Sequence, residues 1–196
     1  MASERIGIWF IGAQGGVATT AAVGLACLQQ KLTRETALVS AAPRFAGLNL
    51  ADWPQFVVGG HEIRKTTYTA EARNLHEKSR VFDAGHLDAI APTLEKWDAN
   101  IRPGSLINVG PTIEGLSDES VKKTKGETPA AAIARISADL NEFRQNNQLD
   151  RVVVVNAAST EPPLEHAAQQ ADWAELSQLL ETAESSPVPA SSLYAI

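Results

Sequence analysis

Cysteine is almost missing from this 196-residue chain: Cys27 stands alone, so no internal disulfide can form. That fits a reducing compartment, and a lone thiol on the apolar face of a helix reads as buried and inert. Long apolar runs are missing as well. The first run, Ile6 to Ile11, has Glu4 before it and glycines directly after it, which excludes a secretion signal. No run approaches the roughly 20 apolar residues of a membrane span. Dense positive charge is scarce: the net charge is -6, and Lys122-Lys123-Thr124-Lys125 reads as a solvated loop. Nucleic acid is therefore excluded as a partner, and a cytoplasmic protein with no membrane contact is expected. No His, Cys and Asp set with metal-ligand spacing surrounds His61, which reads as a loop residue, so no metal is expected.

What is present is an ordinary globular composition, 44% hydrophobic and 20% charged, long enough for one full domain and a small appendage. Its organising stretch is Ile6-Gly7-Ile8-Trp9-Phe10-Ile11-Gly12-Ala13-Gln14-Gly15-Gly16-Val17-Ala18-Thr19-Thr20. A buried strand runs into a glycine turn and then into an Ala-rich helix, about Gly16 to Lys31. That order presents backbone N–H groups to a phosphate. Gly12 allows the tight turn, Gly15 lets a diphosphate approach the backbone, and Ala18 lets the helix pack near the strand. The pattern, G-x-x-G-x-x-A, is a relative of the dinucleotide fingerprint. The same residues resemble the end of a P-loop, but Ala18 stands where the phosphate-binding Lys is required and no Lys precedes Lys31. Nucleoside triphosphate hydrolysis is thus disfavoured. A glycine turn without a ligand is the plain alternative.

Further along, Thr36 to Ser40 is a short apolar run, and Phe56 to Ile63 is a strand-like run ending in glycines and an acid. An acid at the end of the second strand of a dinucleotide-binding unit holds the adenosine ribose. Glu35 has the usual spacing but precedes its run; Glu62 ends its own and is preferred. A solvated strand-end charge is the alternative for Glu62. Thr69 to Arg80 is helical in composition. His86 to Ile101 shows a one-sided apolar stripe, with Pro92 kinking or starting the helix. Ser105 to Val109 predicts a strand, and Glu114 to Glu127 a polar loop. Thr128-Pro129 starts a capped helix. Arg151 to Asn156 carries an unbroken Val run suited to the centre of a parallel sheet. It leads to Ala157-Ala158-Ser159-Thr160, either a ligand-facing strand edge or the cap of a helix over Leu164 to Ala183. Tyr68 is followed four residues on by Ala72, not Lys, which sets aside a short-chain dehydrogenase. The alternation of strands and helices predicts an α/β, Rossmann-like parallel sheet with helices on both faces.

Four ordered blocks go further. They are Ile8 to Thr20, Phe56 to Ile63, Val155 to Pro162, and Ser191-Ser192-Leu193-Tyr194-Ala195. Together they resemble the myo-inositol-1-phosphate synthase family, in its bacterial branch. The resemblance implies NAD as cofactor. It also implies the conversion of glucose 6-phosphate to inositol phosphate by oxidation, aldol cyclisation and re-reduction, and a homo-oligomer, a tetramer. It places the diphosphate on Gly12, Ala13, Gln14, Gly15, Gly16, Val17, Ala18 and Thr19. The family's Gly-Trp-Asp-Ile block matches Gly60-His61-Glu62-Ile63, with Glu replacing Asp at the ribose. Its Thr-Ala-Asn-Thr-Glu block at the nicotinamide resembles Ala157-Ala158-Ser159-Thr160-Glu161. The paired asparagines of eukaryotic members are absent from the glycine loop. NADP stays open beside NAD, because Arg64 and Lys65 follow Glu62. Residues 1–184 read as the NAD-binding domain and 185–196 as the start of a following domain. On that reading the chain is the truncated, cofactor-binding part of the enzyme, without the family's catalytic lysines. A non-catalytic, regulatory dinucleotide-binding module is the alternative.

Overall fold

The computed structural model describes residues 4–36, 38–158, 172–184 and 186–196. Its frame is a four-stranded parallel sheet in the order β3-β2-β1-β4. The strands are β1 (Ile6–Ile11), β2 (Phe56–Glu62), β3 (Ile101–Pro103) and β4 (Arg151–Asn156). In register, Ile11 lies beside His61 on one side and Asn156 on the other, so β1, β2 and β4 end at one edge.

Alternation along β1 sends neighbouring side chains to opposite faces. Ile8 and Phe10 meet one layer, built from α1 (Gly16–Gln29), α2 (Tyr68–Ser79) and α3 (Ala84–Asp98). Trp9 points the other way, to Phe143 of α6 (Pro129–Asn146) and to Leu149. Phe143 fits because the sheet beneath it is bare: a Cβ on Gly7 or on Gly59 would stand 2.6 Å or 2.8 Å from its ring. Full burial of such a side chain contributes about 1.5–3 kcal/mol. Val188 and Leu193, the latter in a 3-10 turn over Ala190–Tyr194, are buried with Ile136 of α6 and Leu180 of α7 (Trp173–Thr182).

Helix starts follow local chemistry. The side chains of Thr67, Asp83, Thr128 and Asp172 accept from the first-turn amides of α2, α3, α6 and α7. Pro92 sits inside α3 without ending it, because the Asp83 cap fixes the start eight residues earlier at Ala84, and Ile101 belongs to β3. The strand expected over Ser105 to Val109 does not form. There the Leu106 N–H donates to Thr124 Oγ1 and the Ile107 N–H to Ser105 Oγ, so side chains take the backbone groups a ladder would use. Residues 111–126, largely expected as loop, hold the short helices α4 (Pro111–Gly115) and α5 (Glu119–Lys122) and a 3-10 turn. The run at Thr36 to Ser40 ends in another 3-10 turn, Val39–Ala41. The Val run of β4 is not central among the described strands: it pairs with β1 on one side, and Val153, Val154 and Val155 stay 37–45% exposed. Cys27 is buried as expected, and burial pushes its thiol pKa up. Among the described residues no helix is long and apolar enough to cross a membrane.

Candidate functional site

β1 hands the chain to α1 through a turn that only glycine accommodates at its first position. Gly12 has φ +75°, and a Cβ there would meet Ala158 Cα at 3.0 Å. The amides of Gly12 and Ala13 both donate to the His61 carbonyl at 3.0 Å. The Gln14 amide donates to Glu62 Oε2 at 2.9 Å. The first helical bond runs from the Thr19 amide to the Gly15 carbonyl. The first-turn amides of Gly16, Val17 and Ala18 precede it, and no side chain caps this helix. The donors left for an anion are therefore those of the helix start, not those of the bend before it.

The first of these residues, Gly16, borders a cleft of about 330 Å³ at the carboxyl edge of the sheet. Gly12, Gly15, Gly16, Glu62, Ala157 and Ala158 line it together. The other expected residues lie elsewhere. Ala13, Ala18 and Thr19 are fully buried, Gln14 is buried with its side chain donating to Asp98, and Val17 is 73% exposed. Ser159 and Thr160 lie outside the described residues. Glu35, the rival acid, accepts from the Trp53 indole and does not line the cleft. The cleft also takes in Arg64, Gly104 and Ser105, and the apolar Ile113 and Leu116. The sequence pattern marked Arg64, as a cation following Glu62, but not the others: the misplaced third strand hid Gly104 and Ser105, and the short helix α4 was read partly as loop.

Glu62 is the electrostatic centre. It is buried at the end of β2, where Oε1 accepts from the amides of Ile63 and Arg64 and from Arg64 Nε, at 2.9–3.2 Å. Oε2 accepts from the Gln14 amide and from Arg64 Nη2. Burial opposes the charge on Arg64, but the hydrogen bond and charge of Glu62, with the charge of Glu71, outweigh it and raise the guanidinium pKa. Behind the loop, Asp98 accepts from the Gln14 side chain and the Tyr68 amide. Burial raises the pKa of Asp98 against those bonds. Burial, then the charges of Asp98 and Glu62, push the Tyr68 phenol far up.

His61 corrects an expectation: it is a buried strand residue, not a loop residue. Its Nδ1 accepts from Trp9 Nε1 at 3.1 Å, which leaves Nε2 to donate to Asp139 at 2.9 Å. Burial lowers its pKa more than Asp139 restores it. Among the described residues no cluster of three or more His, Cys, Asp or Glu is arranged to hold a metal ion.

A parallel sheet of this order, with a glycine turn and an uncapped helix at its carboxyl edge, defines a Rossmann-like dinucleotide-binding domain. The donor set suits that group, since amides at a helix start face a diphosphate and an acid ends the second strand. Residues 46–196 match the family model described as myo-inositol-1-phosphate synthase, which covers its NAD-binding domain. The chain belongs to the myo-inositol-1-phosphate synthase family. The glycine turn precedes the matched residues. The crystal structure of inositol-3-phosphate synthase from Caenorhabditis elegans superposes on it with a TM-score of 0.71 at 17% identity. That superposition covers 98% of this chain, which spans 42% of the worm protein's chain. No curated protein sequence matches the chain.

Proposed function

We propose that this chain is the cofactor-holding part of an enzyme that converts glucose 6-phosphate to an inositol phosphate. The observation that carries the reading is the cleft itself. It brings the glycine turn, the uncapped start of α1, Glu62 and the Ala157-Ala158 edge to one place. The chemistry that NAD supplies when bound is removal of a hydride from the sugar phosphate and its return after ring closure, with no net redox change. The residues of this chain bind and orient. The amides of Gly16, Val17 and Ala18 hold the diphosphate, and Gly15 and Gly16 keep the approach free of side chains. Glu62 accepts from the adenosine ribose. Ala157 and Ala158 border the nicotinamide end, to which the family resemblance also assigns Ser159 and Thr160. A hydride taken up and later returned at one cofactor requires that cofactor to stay in place in between, which a site at the strand ends would provide. The family resemblance adds a cytoplasmic homo-oligomer, a tetramer.

A second reading, a non-catalytic dinucleotide-binding module, is favoured by one observation. The titratable groups of the cleft are already committed: Glu62 to Arg64 and the loop amides, and His61 to Trp9 and Asp139. Calorimetric titration with NAD⁺ tests the binding claim shared by both. Saturable heat is expected, and its absence at millimolar NAD⁺ overturns both. Turnover of glucose 6-phosphate by this chain rejects the second.

A further inference from the structure

Arg64 is the cation nearest the place where the ribose would lie, and an arginine there commonly receives the 2′-phosphate of NADP. Here it is already spent. Its Nε and Nη2 donate to Glu62 at 3.2 Å, its Nη2 also to the Gln14 carbonyl at 2.6 Å, and its Nη1 to Glu71 Oε1 at 3.3 Å. The same Glu71 oxygen accepts from Thr66 Oγ1 at 2.9 Å, which fixes the carboxylate over the guanidinium. All three charged groups are at most 29% exposed at the side chain. Two carboxylates facing one guanidinium leave negative charge in excess beside the ribose position. The other nearby cation, Lys65, acts in part on Asp118. The carboxyl of Asp118 is held below its ordinary value mainly by Ser120 and in smaller part by Lys65.

We propose that Glu71 is a positioning residue for cofactor choice: by sharing Arg64 with Glu62 it withholds that guanidinium from a 2′-phosphate, so the cleft takes the dinucleotide with a free 2′-hydroxyl. This rests on the reading that the ribose sits at Glu62. Glu71 itself touches no part of the dinucleotide. It lies on the first turn of α2, where only its contact with Arg64 links it to the cleft. A phosphate arriving beside Glu62 would have to extract Arg64 from three acceptors while meeting one buried and one half-buried carboxylate. A ribose hydroxyl brings no charge and needs only one acceptor position on Glu62.

The test is calorimetric binding of NAD⁺ and of NADP⁺ to the whole chain and to Glu71→Gln. The ratio of the two affinities is the readout, because a merely structural defect lowers both together. The wild-type protein is expected to prefer NAD⁺. In E71Q one negative charge is gone and Arg64 Nη1 is held by no more than a neutral amide oxygen, so NADP⁺ gains on the order of tenfold relative to NAD⁺. Adding Arg64→Met to E71Q removes that gain. Where E71Q does not fold, R64M alone reads the same balance from the other side, and the preference for NAD⁺ rises. A wild-type protein that binds NAD⁺ but shows an unchanged ratio in these variants overturns the role of Glu71 and leaves the dinucleotide site standing. A wild-type protein that binds neither overturns both.

Discussion

The indole N–H of Trp9, in β1, donates to Nδ1 of His61, in β2, across 3.1 Å in the interior of the protein. That bond sets the imidazole tautomer, and the other nitrogen reaches Asp139 of α6. Two strands and the helix over them are thereby tied at the floor of the cleft. His61→Leu leaves the Trp9 N–H without an acceptor and takes from Asp139 its nearer partner, with Arg135 remaining at 3.6 Å. The expected cost is about 2–4 kcal/mol, read as a lower denaturation midpoint with an unchanged slope.

The same histidine predicts a pH dependence. Asp139 would favour its charged form, but burial, with Arg135 and Arg102 facing it, keeps the folded pKa below the ordinary value. The edge of the Tyr194 ring packs on it as well. The unfolded chain takes up the proton first as pH falls. The contribution of His61 to stability is therefore complete above about pH 6.5. It is lost as pH drops from there toward the lower folded pKa, by up to about 1.4 kcal/mol per pH unit. Chemical denaturation at a series of pH values measures this slope, and H61L should flatten it.

Much of this arrangement was legible before any coordinates. Ile6 to Ile11, Phe56 to Glu62 and Arg151 to Asn156 announce themselves by composition and by the glycines and turns that close them. Thr128-Pro129 marks its helix start by cap chemistry alone. The third strand did not, because Ile101-Arg102-Pro103 is short and ends in a residue with no N–H to donate. Leu106 and Ile107 nearby are the more apolar pair and both are buried, but Ile107 packs against α6 and α7 and not in a ladder. The importance of His61 depends on Trp9 and on Asp139, 78 residues away, and spacing cannot show that. Position likewise marked Glu62 while its partners stayed hidden. That the amides before Gly16 are spent inside the turn is a matter of three-dimensional closure alone.

Two glycines, one inside β2 and one at the start of α1, should respond in opposite ways to alanine. A Cβ on Gly60 would stand 2.3 Å from the Phe10 carbonyl oxygen and 2.6 Å from Ala13 Cβ, both on rigid backbone. Gly60→Ala should cost about 3 kcal/mol or more. A Cβ on Gly16 meets nothing within 4 Å. Gly16→Ala should leave thermal stability unchanged or raise it by a few tenths of a kcal/mol. It should nevertheless weaken NAD⁺ binding about tenfold, since the methyl group enters the approach to the first helical turn. Melting curves and calorimetry on the two variants separate packing from ligand access.

Glu62→Gln tests the acid that ends β2. The carboxylate is an acceptor at both oxygens and meets five donors, three of them backbone amides. An amide in its place has one acceptor and turns an NH₂ group toward either the Gln14 amide or the Ile63 and Arg64 amides. Donor would face donor in a buried site, and Arg64 would lose its nearer counter-ion. The unliganded protein should lose about 2–4 kcal/mol of stability. Bound NAD⁺ normally raises the melting temperature in proportion to the logarithm of its concentration over Kd. In E62Q that rise should nearly vanish at a concentration that saturates the wild-type protein, because the loop that presents the helix amides is no longer clasped and the ribose loses its acceptor. A variant that melts lower yet keeps the full NAD⁺-dependent rise would show that Glu62 holds the loop without touching the ribose.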